Sequence, residues 1–245
     1  MADIQIGEMI YPDIELIIFD KDGTLIDLQP LWGKQVRIWA GRLLEEGLPK
    51  TAAQQFFKTV GFDDRTNLIL PDSPLAVAPM EPLVALTAGV FYQYGRPWPA
   101  AEELARRLLT IDEEQLLSET RPLGPITATI NALAAAGVQI AIATNDDRQP
   151  TLAVLPVLGI EVHIAAVVCG DDPIPNKPDP AGFFHICSRL DAQPAKTIMV
   201  GDSGSDMIFG RRAGAAACIG IDTGSAYLPP LADQVIPTIA SIRPI

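Results

Sequence analysis

Short, continuous runs of apolar residues recur in the second half of the chain and once near its start. Apolar runs of this length are typical of β-strands that are covered on both faces, as in parallel sheets. The pattern predicts strands at residues 14–19, 138–143, 165–169, 197–200, 215–219 and 234–236.

Helical patterns fill the spaces between these strands. A segment over 126–136 is rich in Ala and ends at Gly137, a residue suited to a helix C-terminus. Two more helices are predicted over 180–190, with Asp179 as the N-cap, and over 204–213. Because strands and helices alternate, we predict an α/β fold: a doubly wound, Rossmann-like parallel sheet with helices on both faces.

Residues 28–121 interrupt this alternation and contain no clear strand. Their apolar spacing predicts helices at 31–46, 52–60, 82–92 and 100–109. We therefore expect residues 1–27 and 122–245 to form an α/β core, and residues 28–121 to form an all-helical inserted domain.

Composition and charge narrow the possible partners. Hydrophobic residues make up 48% of the chain, and its formal net charge is −12. An acidic protein repels nucleic acid and anionic membranes, so neither is an expected partner. The N-terminus does not have the pattern of a secretory signal, and no apolar run is long enough to cross a bilayer. We expect a soluble, cytoplasmic protein, as a monomer or a homodimer.

The first predicted strand ends in Asp20-Lys21-Asp22-Gly23-Thr24. Carboxylates at the carboxyl end of a parallel strand lie where open α/β sheets bind ligands. An acidic turn is the simpler explanation, since Asp and Gly are ordinary turn residues.

Three more polar clusters follow predicted strands: Thr144-Asn145-Asp146, Asn176-Lys177-Pro178-Asp179 and Gly201-Asp202-Ser203-Gly204-Ser205-Asp206. The carboxyl ends of parallel strands share one edge of the sheet, so these clusters are expected to meet in one crevice. Any one cluster is compatible with ordinary loop chemistry, whereas the joint placement favours a site.

FDKDGTL, ATN, NKPDP and GDSGSD resemble, in order, the four signature motifs of the haloacid dehalogenase superfamily. The resemblance covers residues 14–27 and 122–245, and the insert is similar to that family's first-position (type C1) cap domain. The match is best to the phosphoglycolate phosphatase-like subgroup. It implies a Mg²⁺-dependent phosphatase acting on a small phosphorylated metabolite.

The resemblance also implies roles for the acidic residues. Asp20 would be the nucleophile that forms an aspartyl-phosphate, and Asp22 would be the general acid and then the general base. Thr24 would help to hold Asp22. Asp202 would bind Mg²⁺ together with Asp20 and the backbone carbonyl of Asp22.

The remaining implied roles concern the phosphate. Thr144 and Asn145 would donate hydrogen bonds to the phosphoryl oxygens, and Lys177 would pair with both Asp20 and the phosphate. Asp206 would act on the metal through water or orient Lys177. Ser203 is equally suited to support the metal site or to cap a helix.

Other functions stay open at this stage. A phosphosugar mutase would use the same residues, whereas a dehalogenase of the superfamily usually lacks the acid at position 22. A Schiff-base enzyme would need a lysine of the insert (Lys34, Lys50 or Lys58), and a non-catalytic scaffold would not need the acidic set. Lys21 fills the variable position of the first motif with no evident role, and Asp146 is expected to open the next helix.

Overall fold

The computed structural model describes residues 1–223 and 231–245, apart from the side chain of Leu28. The chain divides into two compact units, one formed by Met1–Asp27 with Thr120–Ile245 and the other by Leu28–Glu119. None of the helices in the described part of the chain has the length and apolar character needed to cross a bilayer.

The strands of the described residues are β1 (Ala2–Ile6), β2 (Met9–Ile14), β3 (Leu16–Phe19), β4 (Phe62–Asp63), β5 (Leu68–Ile69), β6 (Gln139–Ala143), β7 (Ile164–Val168), β8 (Thr197–Gly201), β9 (Ala217–Ile221), β10 (Gln234–Ile236) and β11 (Ile242–Pro244). The helices are α1 (Leu28–Glu45), α2 (Lys50–Val60), α3 (Pro74–Val77), α4 (Met80–Gln93), α5 (Trp98–Leu108), α6 (Glu113–Glu119), α7 (Ile126–Ala135), α8 (Arg148–Leu158), α9 (Ala181–Leu190) and α10 (Gly204–Ala213).

The first unit is built on a six-stranded parallel sheet in the order β10-β9-β8-β3-β6-β7. The chain runs from β3 outward to β6 and β7, and then returns to β8 on the other side of β3. This reversal is a topological switch point, and ligands of open α/β sheets bind at the carboxyl ends of the strands beside it. The predicted fold class is confirmed.

Apolar side chains of β3 alternate between the two faces of the sheet, and both faces are covered. Ile18 belongs to a buried cluster with Met199 of β8, and helices α9 and α10 supply Phe183 and Phe209 to it. These two aromatic rings meet nearly edge-on, 5.5 Å apart. Helix α7 also packs against β6, and none of its residues belongs to this cluster.

An antiparallel sheet at the chain termini was missed by the sequence prediction. β1 pairs with β2 through a tight turn and with β11 from the C-terminus, in the order β11-β1-β2. Residues 2–6 do alternate, and Ile4 and Ile6 are fully buried. Their partner β11 is more than 230 residues away along the chain, and no local pattern indicates such a pairing.

The second unit is helical except for one short hairpin. The expectation of an all-helical insert is therefore wrong in this detail, because β4 and β5 pair antiparallel across the turn that joins them. Each strand has two residues, which is too short to leave a period-2 pattern. Helices α1, α2, α4 and α5 correspond to the four predicted helical segments, with ends that differ by up to three residues.

Several element boundaries differ from the prediction by one to three residues, and two of them have a clear local cause. β9 begins at Ala217 rather than at residue 215, because Gly214 ends α10 in a left-handed conformation and the chain needs two further residues to join the sheet. Helix α9 has Pro180 rather than Asp179 at its N-cap position. The Asp179 carboxylate nevertheless accepts a hydrogen bond from the Ala181 amide at 2.9 Å, as a capping side chain does.

Candidate active site

The polar residues singled out in the sequence lie at the carboxyl edge of the parallel sheet. Asp20 follows β3, Thr144 follows β6 and Asp202 follows β8, and these three strands are adjacent and hydrogen-bonded in register. Lys177 comes from the loop between β7 and α9. The fold therefore brings together side chains that are up to 182 residues apart in the sequence.

The Lys177 ammonium group is at the centre of this cluster. Its Nζ donates hydrogen bonds to Asp20 Oδ1 and Asp206 Oδ1, both at 2.6 Å, and to the Ala143 carbonyl at 2.8 Å. Burial alone would lower the pKa of Lys177, but Asp20 and Asp206 raise it above its ordinary value. An ammonium has three donors, so this lysine is fully satisfied and stays charged.

Asp206 is held by the start of helix α10. Its Oδ2 accepts from the Ser203 amide at 3.1 Å and from the Ser203 hydroxyl at 2.6 Å, while the Asp206 amide donates back to that hydroxyl. This is a capping box, so Ser203 is a helix cap. Because protein groups already occupy both oxygens of Asp206, the geometry favours its role in orienting Lys177.

Asn145 fixes the loop that carries Lys177. Its Oδ1 accepts from the Lys177 amide and its Nδ2 donates to the Lys177 carbonyl, each at 3.1 Å. This reciprocal pair joins the loop after β6 to the loop after β7. The predicted contact of the Asn145 side chain with phosphate stays a prediction, and the structure adds this positioning role.

The carboxylates beside Lys177 suit a metal ion. Asp20, Asp202 and Asp206 each offer an oxygen, and these oxygens lie within 4.8 Å of one another. Burial, with help from the neighbouring carboxylates, raises the pKa of Asp20 to about 7 and the pKa of Asp202 well above its ordinary value. Three carboxylates against one ammonium leave two uncompensated negative charges, which a divalent cation would balance.

The turn after Asp20 brings Asp202 into the cluster. Gly23 has a left-handed conformation (φ 75°), and its amide donates to the Ile26 carbonyl at 2.8 Å. A Cβ at position 23 would lie 2.0 Å from Asp202 Oδ2. Only glycine leaves room for that carboxylate, because any side chain at position 23 would overlap it.

A second buried lysine was missed as part of the site. Lys21 Nζ lies 2.5 Å from Asp22 Oδ2 and 3.0 Å from Asp146 Oδ2. Burial alone would lower the pKa of Lys21, but these two carboxylates raise it above its ordinary value. Burial also raises the pKa of Asp146. The sequence did contain a signal for this pairing. Lys21 lies between two acids at the end of a buried strand, and a buried ammonium needs an anionic partner.

Two predicted site residues have hydroxyl groups in unexpected settings. Thr144 is buried, and its Oγ1 accepts a hydrogen bond from the Asp146 amide at 3.1 Å. Thr24 is fully buried, and its Oγ1 has no hydrogen-bond partner among the described residues. The predicted support of Asp22 by the Thr24 hydroxyl is therefore not observed.

Comparison with known proteins identifies relatives of this chain. The chain is 28% identical over 232 residues to a phosphoglycolate phosphatase of Agrobacterium fabrum, covering 94% of this chain and 91% of the relative. Its fold is similar to a crystal structure of a predicted phosphoglycolate phosphatase from Haemophilus somnus 129pt, with a TM-score of 0.67, 20% identity and coverage of 93% and 96%.

The same fold occurs with another activity. A 2-haloacid dehalogenase from Pseudomonas syringae pv. Tomato DC3000 matches with a TM-score of 0.62 and 22% identity, covering 93% of this chain and 95% of that one. The fold alone thus does not decide the reaction, which has to be argued from the site.

A family model settles the wider classification. Residues 14–214, which contain all four motifs and the insert, match the model described as "Hydrolase: haloacid dehalogenase-like hydrolase". The prediction made from the four motifs is confirmed: the chain belongs to the haloacid dehalogenase-like hydrolase family.

Proposed function

We propose that this enzyme is a Mg²⁺-dependent phosphatase that hydrolyses a small phosphate monoester through an aspartyl-phosphate on Asp20. The observation that carries the proposal is the Lys177 ammonium, which bridges Asp20 and Asp206 at 2.6 Å each, beside the carboxylate of Asp202. An anionic nucleophile can approach an anionic phosphate only where fixed positive charge offsets the repulsion.

In the first step, a carboxylate oxygen of Asp20 attacks phosphorus and the bond to the substrate alcohol breaks. Lys177 occupies Oδ1 of Asp20, and Oδ2 has no hydrogen-bond partner among the described residues. We therefore assign Oδ2 as the attacking oxygen. Asp22, in its protonated form, gives a proton to the leaving alcohol oxygen.

In the second step, water attacks the phosphorus of the aspartyl-phosphate. Asp22, now ionised, takes a proton from this water, and the bond between phosphorus and Asp20 breaks. Inorganic phosphate leaves, and the Asp20 carboxylate is restored. Asp22 is suited to both steps because it lies two residues from Asp20 on the loop after β3.

The phosphoryl oxygens need donors throughout this sequence. We assign that role to Thr144 and Asn145, which follow β6. Lys177 stabilises the phosphoryl group through its positive charge, because protein acceptors already take its three N–H donors and hold it in place. Preorganised charge of this kind is a major source of rate enhancement.

For the metal we propose Mg²⁺, held by Asp20, Asp202 and the backbone carbonyl of Asp22. Magnesium prefers oxygen ligands, and one or two carboxylates plus substrate phosphate are its usual protein environment. When bound, it supplies positive charge that screens the phosphate from the acidic cluster. Asp206 is better suited to hold Lys177, for the geometric reason given above.

The substrate class and setting are inferred from the relatives and the charge. Phosphoglycolate is the first candidate, because curated relatives over most of the chain are phosphoglycolate phosphatases. A sugar phosphate is the next. We assign residues 1–27 and 120–245 as the catalytic core and residues 28–119 as the cap domain, and we place the enzyme in the cytoplasm as a monomer or homodimer.

A substrate panel tests the proposal directly. Purified protein is assayed for release of inorganic phosphate from phosphoglycolate, sugar phosphates and p-nitrophenyl phosphate, with Mg²⁺ or with EDTA. We expect turnover with Mg²⁺, loss with EDTA and recovery when Mg²⁺ is restored. Turnover that is unaffected by EDTA would overturn the metal assignment, and a lack of turnover across the panel would favour a scaffold.

The same assay separates the mutase alternative. A phosphatase releases phosphate and alcohol in equal amounts, whereas a mutase returns the phosphoryl group to the sugar. An isomerised sugar phosphate without release of inorganic phosphate would replace the proposed function with that of a mutase.

A further inference from the structure

Lys21 is a buried lysine that the reaction described above does not use. Its side chain is 1% exposed, and its ammonium lies between Asp22 at 2.5 Å and Asp146 at 3.0 Å. Lys177 already supplies positive charge beside Asp20. The fold therefore keeps a second enclosed cation at this edge of the sheet, next to the proposed acid–base residue.

Asp146 is itself held rigidly. Its Oδ1 accepts from the Asp147 amide at 2.8 Å, its amide donates to the Thr144 hydroxyl, and its carbonyl accepts from the Gly170 amide at 2.8 Å. These bonds place Asp146 firmly in the loop that carries Thr144 and Asn145. Lys21 thus ties Asp22 to the loop that we assign to phosphate binding.

The lysine head group is too enclosed to act on a substrate. Both of its ionic partners are protein carboxylates, and solvent reaches almost none of its surface. A buried pair of this kind is weak evidence for stability, because an apolar pair of similar volume often serves folding equally well. Its position beside Asp22 is the feature that needs an explanation.

We infer that Lys21 and Asp146 are positioning residues that fix the Asp22 carboxyl group, which gives a proton to the leaving alcohol in its protonated form and takes one from water in its ionised form. The inference rests on the proposed function. Proton transfer requires the carboxyl oxygen to lie within hydrogen-bond reach of the reacting oxygen. Without the lysine, Asp22 would still be present, but its side chain would lose the ionic contact at 2.5 Å.

The inference predicts that sensitivity to the loss of Lys21 depends on the leaving group. An alkyl phosphate releases a strongly basic alkoxide, which needs a proton from Asp22 as the bond breaks. p-Nitrophenyl phosphate releases a stabilised phenolate, which leaves without one. A general structural defect would slow both esters alike.

The main test uses Lys21→Met, which keeps the length of the side chain and removes its charge. A second variant, Lys21→Met with Asp146→Asn, avoids leaving Asp146 buried and unpaired, so that at least one of the two should fold. The matched control is Lys196→Met, which removes the lysine of another ion pair, with Glu15 at 3.2 Å, at the opposite edge of the same sheet. Thermal melting and Mg²⁺ titration establish folding and metal binding for each protein.

The readouts are the steady-state kcat and KM and the pre-steady-state rate of alcohol or phenolate release. For an alkyl phosphate, we expect kcat to fall about 100-fold or more in both Lys21 variants with little change in KM, since general acid catalysis contributes about 10²–10⁴-fold. For p-nitrophenyl phosphate, we expect a rapid release of one equivalent of phenolate, followed by slow turnover, because the second step still requires Asp22 to activate water. The Lys196→Met control should match the wild type with both esters.

Three results would overturn the inference: equal losses in the first step for both esters, full activity of the Lys21 variants, or the same leaving-group effect in the Lys196 control. Wild-type protein that hydrolyses neither ester would overturn the proposed function itself. The wild-type and variant measurements therefore distinguish the two failures.

Discussion

The charged side chains at the two edges of the parallel sheet differ in number and in how deeply they are buried. At the carboxyl edge, Lys177 and Asp20 have side chains that are 6% and 9% exposed, and further acids crowd around them. At the amino edge, Lys196 and Glu15 form one ion pair at 3.2 Å with side chains that are 32% and 15% exposed. The same strands thus carry a buried ionic network at one end and an ordinary surface pair at the other.

The requirements of folding account for the ion pair at the amino edge but not for the buried charges at the carboxyl edge. A surface ion pair costs little to form and contributes about 0–1 kcal/mol. A buried carboxylate loses its hydration, and this is why the pKa of Asp20 rises to about 7. A protein retains such groups where function needs them, and active sites often carry this cost in stability.

The strongest test of the comparison is Asp20→Asn. We expect phosphatase activity to fall by about 10⁴-fold or more, since the loss of a catalytic nucleophile has effects of this order. Lys177 keeps its bond to Asp206, and one crowded negative charge is removed. The melting temperature in EDTA should therefore not fall. An active variant would defeat the assignment of Asp20 as nucleophile, and a strongly destabilised one would weaken the comparison between the edges.

The next test is Asp202→Asn, which targets the metal. At about 100 times its Kd, Mg²⁺ should stabilise the wild type by about 2.7 kcal/mol, or about 5–11 °C in Tm for a chain of this size. The variant should lose most of this shift and most of its activity. Melting curves with Mg²⁺ and with EDTA measure the effect, and an undiminished Mg²⁺ shift would show that Asp202 is not a ligand.

Measuring stability over a range of pH tests the burial of charge at the carboxyl edge in another way. A carboxyl with a raised pKa in the folded state stabilises the protein most below its unfolded pKa, and this stabilisation is lost as the pH rises. For Asp20 the window runs from about 4, the ordinary aspartate value, to about 7. Metal-free protein should lose stability across this window. Because Mg²⁺ binds the ionised form, its effect on Tm should grow with pH, and a pH-independent effect would contradict the prediction.

The smallest effect is expected at the amino edge, from Glu15→Gln. The variant removes the charge that pairs with Lys196 but keeps an oxygen that can accept from the Gln193 amide. We expect a loss of about 0–1 kcal/mol in the free energy of unfolding and an unchanged kcat/KM. Urea unfolding and the phosphatase assay measure the two quantities. A large loss of activity would show that the two edges are not functionally distinct.

Local sequence patterns were sufficient for much of the fold and for the candidate residues. The run at 14–19 predicts a buried strand because five of its six residues are apolar, and Leu16–Phe19 is fully buried. The motifs also placed Asp20, Lys177, Asp202 and Asp206 in segments that follow strands, and the parallel sheet brings these segments together.

The sequence predictions were wrong or incomplete where a residue or strand has its structural partner far away along the chain. β1 needs β11 from the other end of the chain, and Lys21 needs Asp146, 125 residues further on. Asp146 was expected to open the next helix, since Asp is common there, but its side chain is buried against Lys21. No local pattern specifies which of several acids lies close to a given lysine.

By itself, the sequence determined the α/β class, the positions of the parallel strands along the chain and the edge at which the polar residues meet, because each of these follows from short-range periodicity and strand direction. Only the tertiary structure decided which acid pairs with which lysine, that Ser203 is a cap and that Asn145 holds the Lys177 loop. Those choices depend on distances of a few ångströms between side chains, and the packing of the whole sheet and its helices sets these distances.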